Sequence, residues 1–291
     1  MSEQPFSQRH SLAPAPSPQR DDHLPPSVRA ELAITFRDCA SEGLFGGTPE
    51  PAVLDELYNI LYNRLKPLIW KVLQRQPPGN PMGGPWNYYI PELINKCEWW
   101  QFYDICEEMY KVALKYGNKE GGGIFAQRAN ALFAREGVAW RFSGGSIERA
   151  YNPLVAETLE QARTLLQDPK YEGADEHFQK ALDHLNRRPE PDKENCVKDA
   201  VGAVEATARI ICGDPKAKLS DILGKEPFRS GIHPTLRVAI ERLYAYRGDV
   251  GGVAHGQVGP SQVGIEEANW ALTMAAATIL YLSDKFGQRT K

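Results

Sequence analysis

Apolar positions recur along most of this chain at helical spacing, in stretches separated by clusters of proline and glycine. In SVRAELAITFRDCA, Leu32, Phe36 and Cys39 share one helical face, and Ser27 is placed to cap the start. Val53 to about Leu73 is more strongly periodic, through Leu54, Leu57, Leu61, Leu65, Ile69 and Val72, with a kink or break expected at Pro67. QPPGNPMGGP, Gln76 to Pro85, reads as a loop. The spacing then predicts one long helix from Pro91 to Gly117, with proline in the first turn and glycine at the end, and another over residues 124–135.

The period shortens at VAWRFSGGSIERA. Val138, Trp140 and Phe142 alternate with Ala139 and Arg141, and Gly144-Gly145 precedes a second short extended run, which predicts a β-hairpin. Helical spacing returns over residues 152–167 and 172–187. RRPEPDK, Arg187 to Lys193, is a charged, proline-bearing hinge, and a domain boundary is expected in or before it, since the two preceding helices are free to pack on either side. Beyond it come a helix ending at Gly213, the short KLSDILG, then PTLRVAIERLYAY, a glycine-rich stretch and the apolar IEEANWALTMAAATILYLSDKF. The expected fold is mainly α: a helical N-terminal domain with one short hairpin, then an antiparallel helical bundle whose longest loop precedes its last helix. The expected division is a Pro-rich tail over residues 1–26, a first domain over 27–150, connecting helices over 151–188 and a second domain over 189–291.

Composition narrows the function. With 42% hydrophobic residues among 291, the chain has material for real cores, while its Pro-, Ser- and Gln-rich start has little to bury. The net charge of −3 carries no global basic excess, so any nucleic-acid partner has to meet a local patch. No apolar run approaches the roughly 20 residues of a membrane span. The opening residues lack the apolar core of a secretory signal, and the five scattered cysteines form no CxxC pair, so a cytoplasmic protein without membrane contact is expected.

The chemistry concentrates in RGDVGGVAHGQVG, Arg247 to Gly259. The stretch matches neither GxxxxGK[ST] nor GxGxxG, which argues against a nucleotide-phosphate cradle. It holds His255, histidine being the side chain whose unperturbed pKa lies closest to neutrality, and Arg247 presents a planar fork of donors suited to phosphate oxygens. Beside a phosphodiester the two supply proton transfer and charge stabilisation, and the adjacent RNA 2′-hydroxyl serves as nucleophile without metal or cofactor. Taken alone, His255 reads more readily as a loop residue that hydrogen-bonds the backbone to organise a glycine-rich turn. Glu205 and Arg209, one turn apart in VEATARIIC, read either as a surface pair or as an inward carboxylate that orients a guanidinium. Trp99, Trp100, Phe102, Tyr103 and Tyr110 suit a core better than a base-stacking platform. His177 and His184 with their acidic neighbours do not form HExxH, and a solvated face is expected for both. Cys196 and Cys212 read as small hydrophobes.

The combination of FAREGVAWRFSGGSIER, DPKYEGADEHFQKALDHL, VEATARIICG and GGVAHGQVG resembles the AbiJ-type abortive-infection proteins of bacteria, which join an AbiJ N-terminal domain to a C-terminal domain related to HEPN ribonucleases. The resemblance implies a HEPN-like helical bundle that dimerises and a metal-independent endoribonuclease active in phage defence. Arg247 and His255 match the arginine and histidine of the HEPN motif, and Glu205 and Arg209 match its E-x-x-x-[KR] helix. Gly248 stands where a polar residue is usual, leaving Asp249 as the nearest substitute, and the spacing is one residue longer than the family's range. Gln257 is a further supporting position, and Gly251, Gly252 and Gly256 would admit the RNA backbone. The implied partners are an RNA substrate, a second copy of the chain, and a phage-derived trigger or antitoxin bound by the N-terminal domain. A non-catalytic HEPN-like module that dimerises or binds an antitoxin or phage protein is the alternative.

Overall fold

The structure, a computed structural model, describes residues 24–73, 94–249 and 263–287. The expected tail up to residue 23, the Gln76–Pro85 loop and most of the glycine-rich stretch lie outside these. Two compact units divide the chain, Met1–Ala150 and Tyr151–Lys291, each with its own core. Among the described residues the fold is mainly α-helical, with one two-stranded antiparallel sheet.

The first unit contains α1 (Pro26–Ser41), α2 (Glu50–Leu73), α3 (Trp99–Arg135), β1 (Trp140–Ser143) and β2 (Ser146–Arg149). Its core joins Leu32, Phe36 and Cys39 of α1 to Phe102, Tyr103, Phe125 and Phe133 of α3 and to Trp140 and Phe142 of the hairpin. Of the aromatic run, Phe102 and Tyr103 are core, Tyr103 packing edge-on to Phe133 and at 5.5 Å from Trp140. Trp99 and Tyr110 pack against that core half-buried, and Trp100 is half-buried outside it. Gly144 and Gly145, with φ of 57° and 98°, make the two-residue turn that pairs Trp140 with Arg149 and Phe142 with Ile147. The helix α2 runs through Pro67 without ending there.

Two expectations fail in α3. The expected start at Pro91 lies outside the described residues, but the helix is not continuous to Gly117: the helical turn at residues 94–96 breaks off at Cys97, and α3 starts at Trp99. Arg29 reaches across from α1 to donate to the carbonyl oxygens of Ile94 (2.6 Å) and Cys97 (2.8 Å), satisfying the end of that turn. Glu98 then caps α3 reciprocally with Gln101. Nor does the helix stop at Gly117; it continues to Arg135 as one element. A β-carbon at Gly117 would stand 2.5 Å from the Leu44 carbonyl oxygen, and one at Gly121 would be closer still. These glycines let the α1–α2 turn lie directly on the helix. They are sites of close approach, not stop signals.

The second unit contains α4 (Pro153–Leu166), a 3₁₀ turn (Pro169–Tyr171), α5 (Glu172–Asn186), α6 (Lys193–Cys212), α7 (Leu219–Leu223), α8 (Phe228–Gly231), α9 (Pro234–Asp249) and α10 (Ile265–Phe286). The helices α4 and α5, which the sequence left free to pack either way, belong here, on α10 and α6 respectively. At the centre lies α6, which touches α5, α7, α9 and α10. It is capped by Asp192, whose side chain accepts from the Asn195 N–H, and ended by Gly213 at φ 70°. Its buried face is mostly small, with Ala200, Ala203 and Ala208 between Val197, Val201 and Val204. That lets four helices gather around it and fixes where its polar residues point.

Candidate functional site

One of those polar residues is Glu205, buried on α6. A carboxylate removed from water needs charged or hydrogen-bonding partners. Glu205 has three. Arg209, one turn along, places Nη2 3.1 Å from Oε1, while its Nε donates to the Ala217 carbonyl at 2.8 Å. The last turns of α9 supply the other two. The Tyr244 hydroxyl donates to Glu205 Oε1 at 3.2 Å, and Arg247 Nη1 stands 3.5 Å from Oε2. Arg247 Nη2 also donates to the Tyr244 hydroxyl at 3.3 Å, and the guanidinium carbon lies 4.7 Å from the centre of the Tyr244 ring.

The arrangement is a buried anion bracketed by two cations that reach water. The side chains of Arg209 and Arg247 retain 34% and 30% of their exposure, against 9% for Glu205. One carboxylate beneath two guanidinium groups leaves an excess positive charge at the surface. Arg247 has further N–H donors beyond the two it commits to Glu205 and Tyr244. Burial, and then the Glu205 charge, push the Tyr244 hydroxyl above the usual tyrosine range, so it stays protonated and donating at neutral pH. Chemically, such a cluster can accept an anion that presents two oxygens to a guanidinium edge, as a phosphate or a carboxylate does.

Of the residues singled out in the sequence, the structure thus brings together Glu205, Arg209 and Arg247. Asp249 is the last residue of α9. Gly251, Gly252, His255, Gly256 and Gln257 lie outside the described residues. Sequence reasoning missed Tyr244. Its signal was the spacing YAYR, which puts Tyr244 and Arg247 three residues apart and so on one helical face.

The two other histidines of interest keep part of the exposure expected of them, 45% for the His177 side chain and 30% for His184, but both also pair across helices. His177 Nδ1 sits 2.8 Å from Asp199 Oδ1, and His184 Nε2 3.4 Å from Asp199 Oδ2, so both bridge α5 to α6. The pairing of His177 with Asp199 and of His184 with Asp192 makes these helices antiparallel. Gly202 makes room for the His177 ring, which a β-carbon there would approach to 3.2 Å. Against the upward push of burial, hydrogen bonds from Asn195 hold the Asp192 carboxyl below its ordinary range. Among the described residues no group of three or more His, Cys, Asp or Glu side chains is placed to hold a metal ion. Cys196 is buried in the core, and Cys212 is half-buried. No helix among the described residues is long and apolar enough to cross a membrane.

The family model for AbiJ N-terminal domain 4 matches residues 4–165, more than half of the chain. This chain belongs to that family. The match covers the first unit from residue 4 and reaches almost to the end of α4, leaving the Glu205 cluster outside it. No curated protein matches the chain. No solved structure matches it either.

Proposed function

We propose that this AbiJ-family chain is an abortive-infection effector whose second unit is a HEPN-like, metal-independent endoribonuclease. The observation that carries the reading is the Arg247 guanidinium. It is held by a buried carboxylate and a phenol, with Arg209 beside it and donors to spare, immediately before the His255-bearing stretch. Arg247 holds the scissile phosphate and offsets charge developing on its equatorial oxygens. His255 takes the proton from the RNA 2′-hydroxyl as that oxygen bonds to phosphorus. As the bond from phosphorus to the 5′-oxygen breaks, the leaving oxygen takes a proton from an imidazolium. The products are a 2′,3′-cyclic phosphate and a 5′-hydroxyl. Because the nucleophile belongs to the substrate, the reaction asks of the protein only proton transfer and charge placement.

Two protomers supply one imidazole for each proton transfer. An apolar stripe on α10 supports such pairing: Trp270 is 53% exposed, packs edge-on against Tyr246 of α9, and is followed one turn later by exposed Met274. Large apolar side chains left in water beside a polar cluster suit a second copy of the chain. Trp270→Glu is therefore expected to shift the chain to a monomer in size-exclusion chromatography with light scattering. Cleavage should fall about tenfold at micromolar protein, by loss of an anchor that contributes roughly 2 kcal/mol or more.

The test of the central reading is incubation of the purified full-length chain with RNA in excess chelator, with mapping of the product ends. Cleavage that leaves cyclic phosphates, and growth arrest on expression, are expected. RNA left intact, together with a protein partner that co-purifies through the first unit, would favour a non-catalytic interaction module instead.

A further inference from the structure

We propose that Tyr244 is a positioning residue for Arg247, a role that rests on the nuclease reading for its purpose but not for its geometry. No single contact fixes the Arg247 guanidinium: its ion pair with Glu205 is 3.5 Å long and its hydrogen bond to the Tyr244 hydroxyl 3.3 Å, both longer than a well-formed N–H···O bond. Tyr244 adds two restraints of different direction to that pair. Its hydroxyl accepts from Arg247 Nη2 and donates to Glu205 Oε1, while its ring lies against the guanidinium. The cation is thus held at its charge, at one N–H and at its face.

Among the described residues the contacts leave Arg247 three N–H donors: Nε–H and one hydrogen on each Nη. A planar fork fixed in rotation delivers these to phosphate oxygens in one register, whereas a freely turning fork must be ordered when substrate binds. Glu205 Oε1 also receives Arg209 Nη2, so the phenol ties the α9 arginine to the carboxylate oxygen that is already anchored on α6. The substrate class this favours is a phosphodiester, whose two non-bridging oxygens accept from one guanidinium edge.

Tyr244→Phe removes the hydroxyl and keeps the ring. In the full chain without RNA, side-chain ¹⁵N NMR should show slow rotation of the Arg247 guanidinium about Nε–Cζ, with the resonance assigned through Arg247→Lys. In Tyr244→Phe the rotation should quicken about tenfold at an unchanged circular-dichroism spectrum. With RNA, kcat should fall about tenfold while KM changes less than threefold, since a loosened fork still attracts phosphate but no longer meets the transition state in register. Tyr244→Leu, which also removes the ring face, should lower kcat further. A guanidinium that rotates in Tyr244→Phe as it does in the unsubstituted chain overturns the proposal, whatever the cleavage rate. If the unsubstituted chain leaves RNA intact while the NMR difference persists, the nuclease reading fails and the restraint on Arg247 stands.

Discussion

Arg247→Ala is expected to slow RNA cleavage by roughly 10²–10³-fold, the loss typical of removing one preorganised donor from a developing oxyanion. Stability should scarcely change. Glu205 keeps Arg209 and the Tyr244 hydroxyl, so no buried charge is left alone, and the deleted ion pair is long and partly exposed. With Glu205 still paired, the loss should be about 1 kcal/mol, well short of the cost of a buried charge left alone. Arg247→Lys should not rescue activity, because an ammonium has no planar fork with which to meet Glu205, Tyr244 and a phosphate together. Arg209→Ala makes the contrast, since Arg209 spends its Nε on the Ala217 carbonyl, and its loss should cost less than Arg247→Ala. Single-turnover cleavage of end-labelled RNA in chelator, beside thermal unfolding, reads both quantities. A rate for Arg247→Ala within threefold of the unsubstituted chain would remove Arg247 from the chemistry.

How far this site was legible follows from what helical spacing carries. The i, i+4 relation of Glu205 and Arg209 was visible, but a period cannot say whether such a pair faces water or core. The answer came from α6 being surrounded, which depends on small residues spread along its whole buried face. The nearness of Tyr244 to Arg247 was readable in YAYR, but its tie to Glu205 was not, because Glu205 lies 39 residues earlier on another helix. His177 and His184 show the same gap: both keep some of the solvated face expected of them, and what spacing could not show is that Asp199 on the neighbouring helix pairs with each ring. The hairpin, by contrast, was legible because its determinants are local. Alternation, a Gly-Gly turn and the pairing of Phe142 with Ile147 all lie within about ten residues.

The glycines of α3 misled for an instructive reason, and they yield a test of opposite signs within one helix. By propensity alone, replacing a helical glycine stabilises by about 1 kcal/mol for alanine and somewhat less for valine. Gly123 is exposed with nothing near its missing β-carbon, so Gly123→Ala should realise most of that gain. Gly121 sits beneath the backbone of the α1–α2 turn, where a β-carbon would collide with the Leu44 carbonyl oxygen and already touch the Phe45 ring at ordinary contact distance, leaving no room for the further methyls of valine. That turn cannot easily yield. It is closed by the Leu44 N–H on the Cys39 carbonyl, shaped by Gly43 and Gly46 at positive φ, and pinned by Phe45, buried 5.3 Å from Phe36. Gly121→Val should therefore destabilise the first unit by about 3 kcal/mol, overpacking outweighing propensity. For a unit of this size that is a drop of roughly 6–12 °C in the first unit's thermal transition in the full-length chain. Gly123→Ala should raise the same transition by about 2–4 °C. If both substitutions stabilise, the turn does not rest on α3, and the glycines are ordinary weak points of a helix after all.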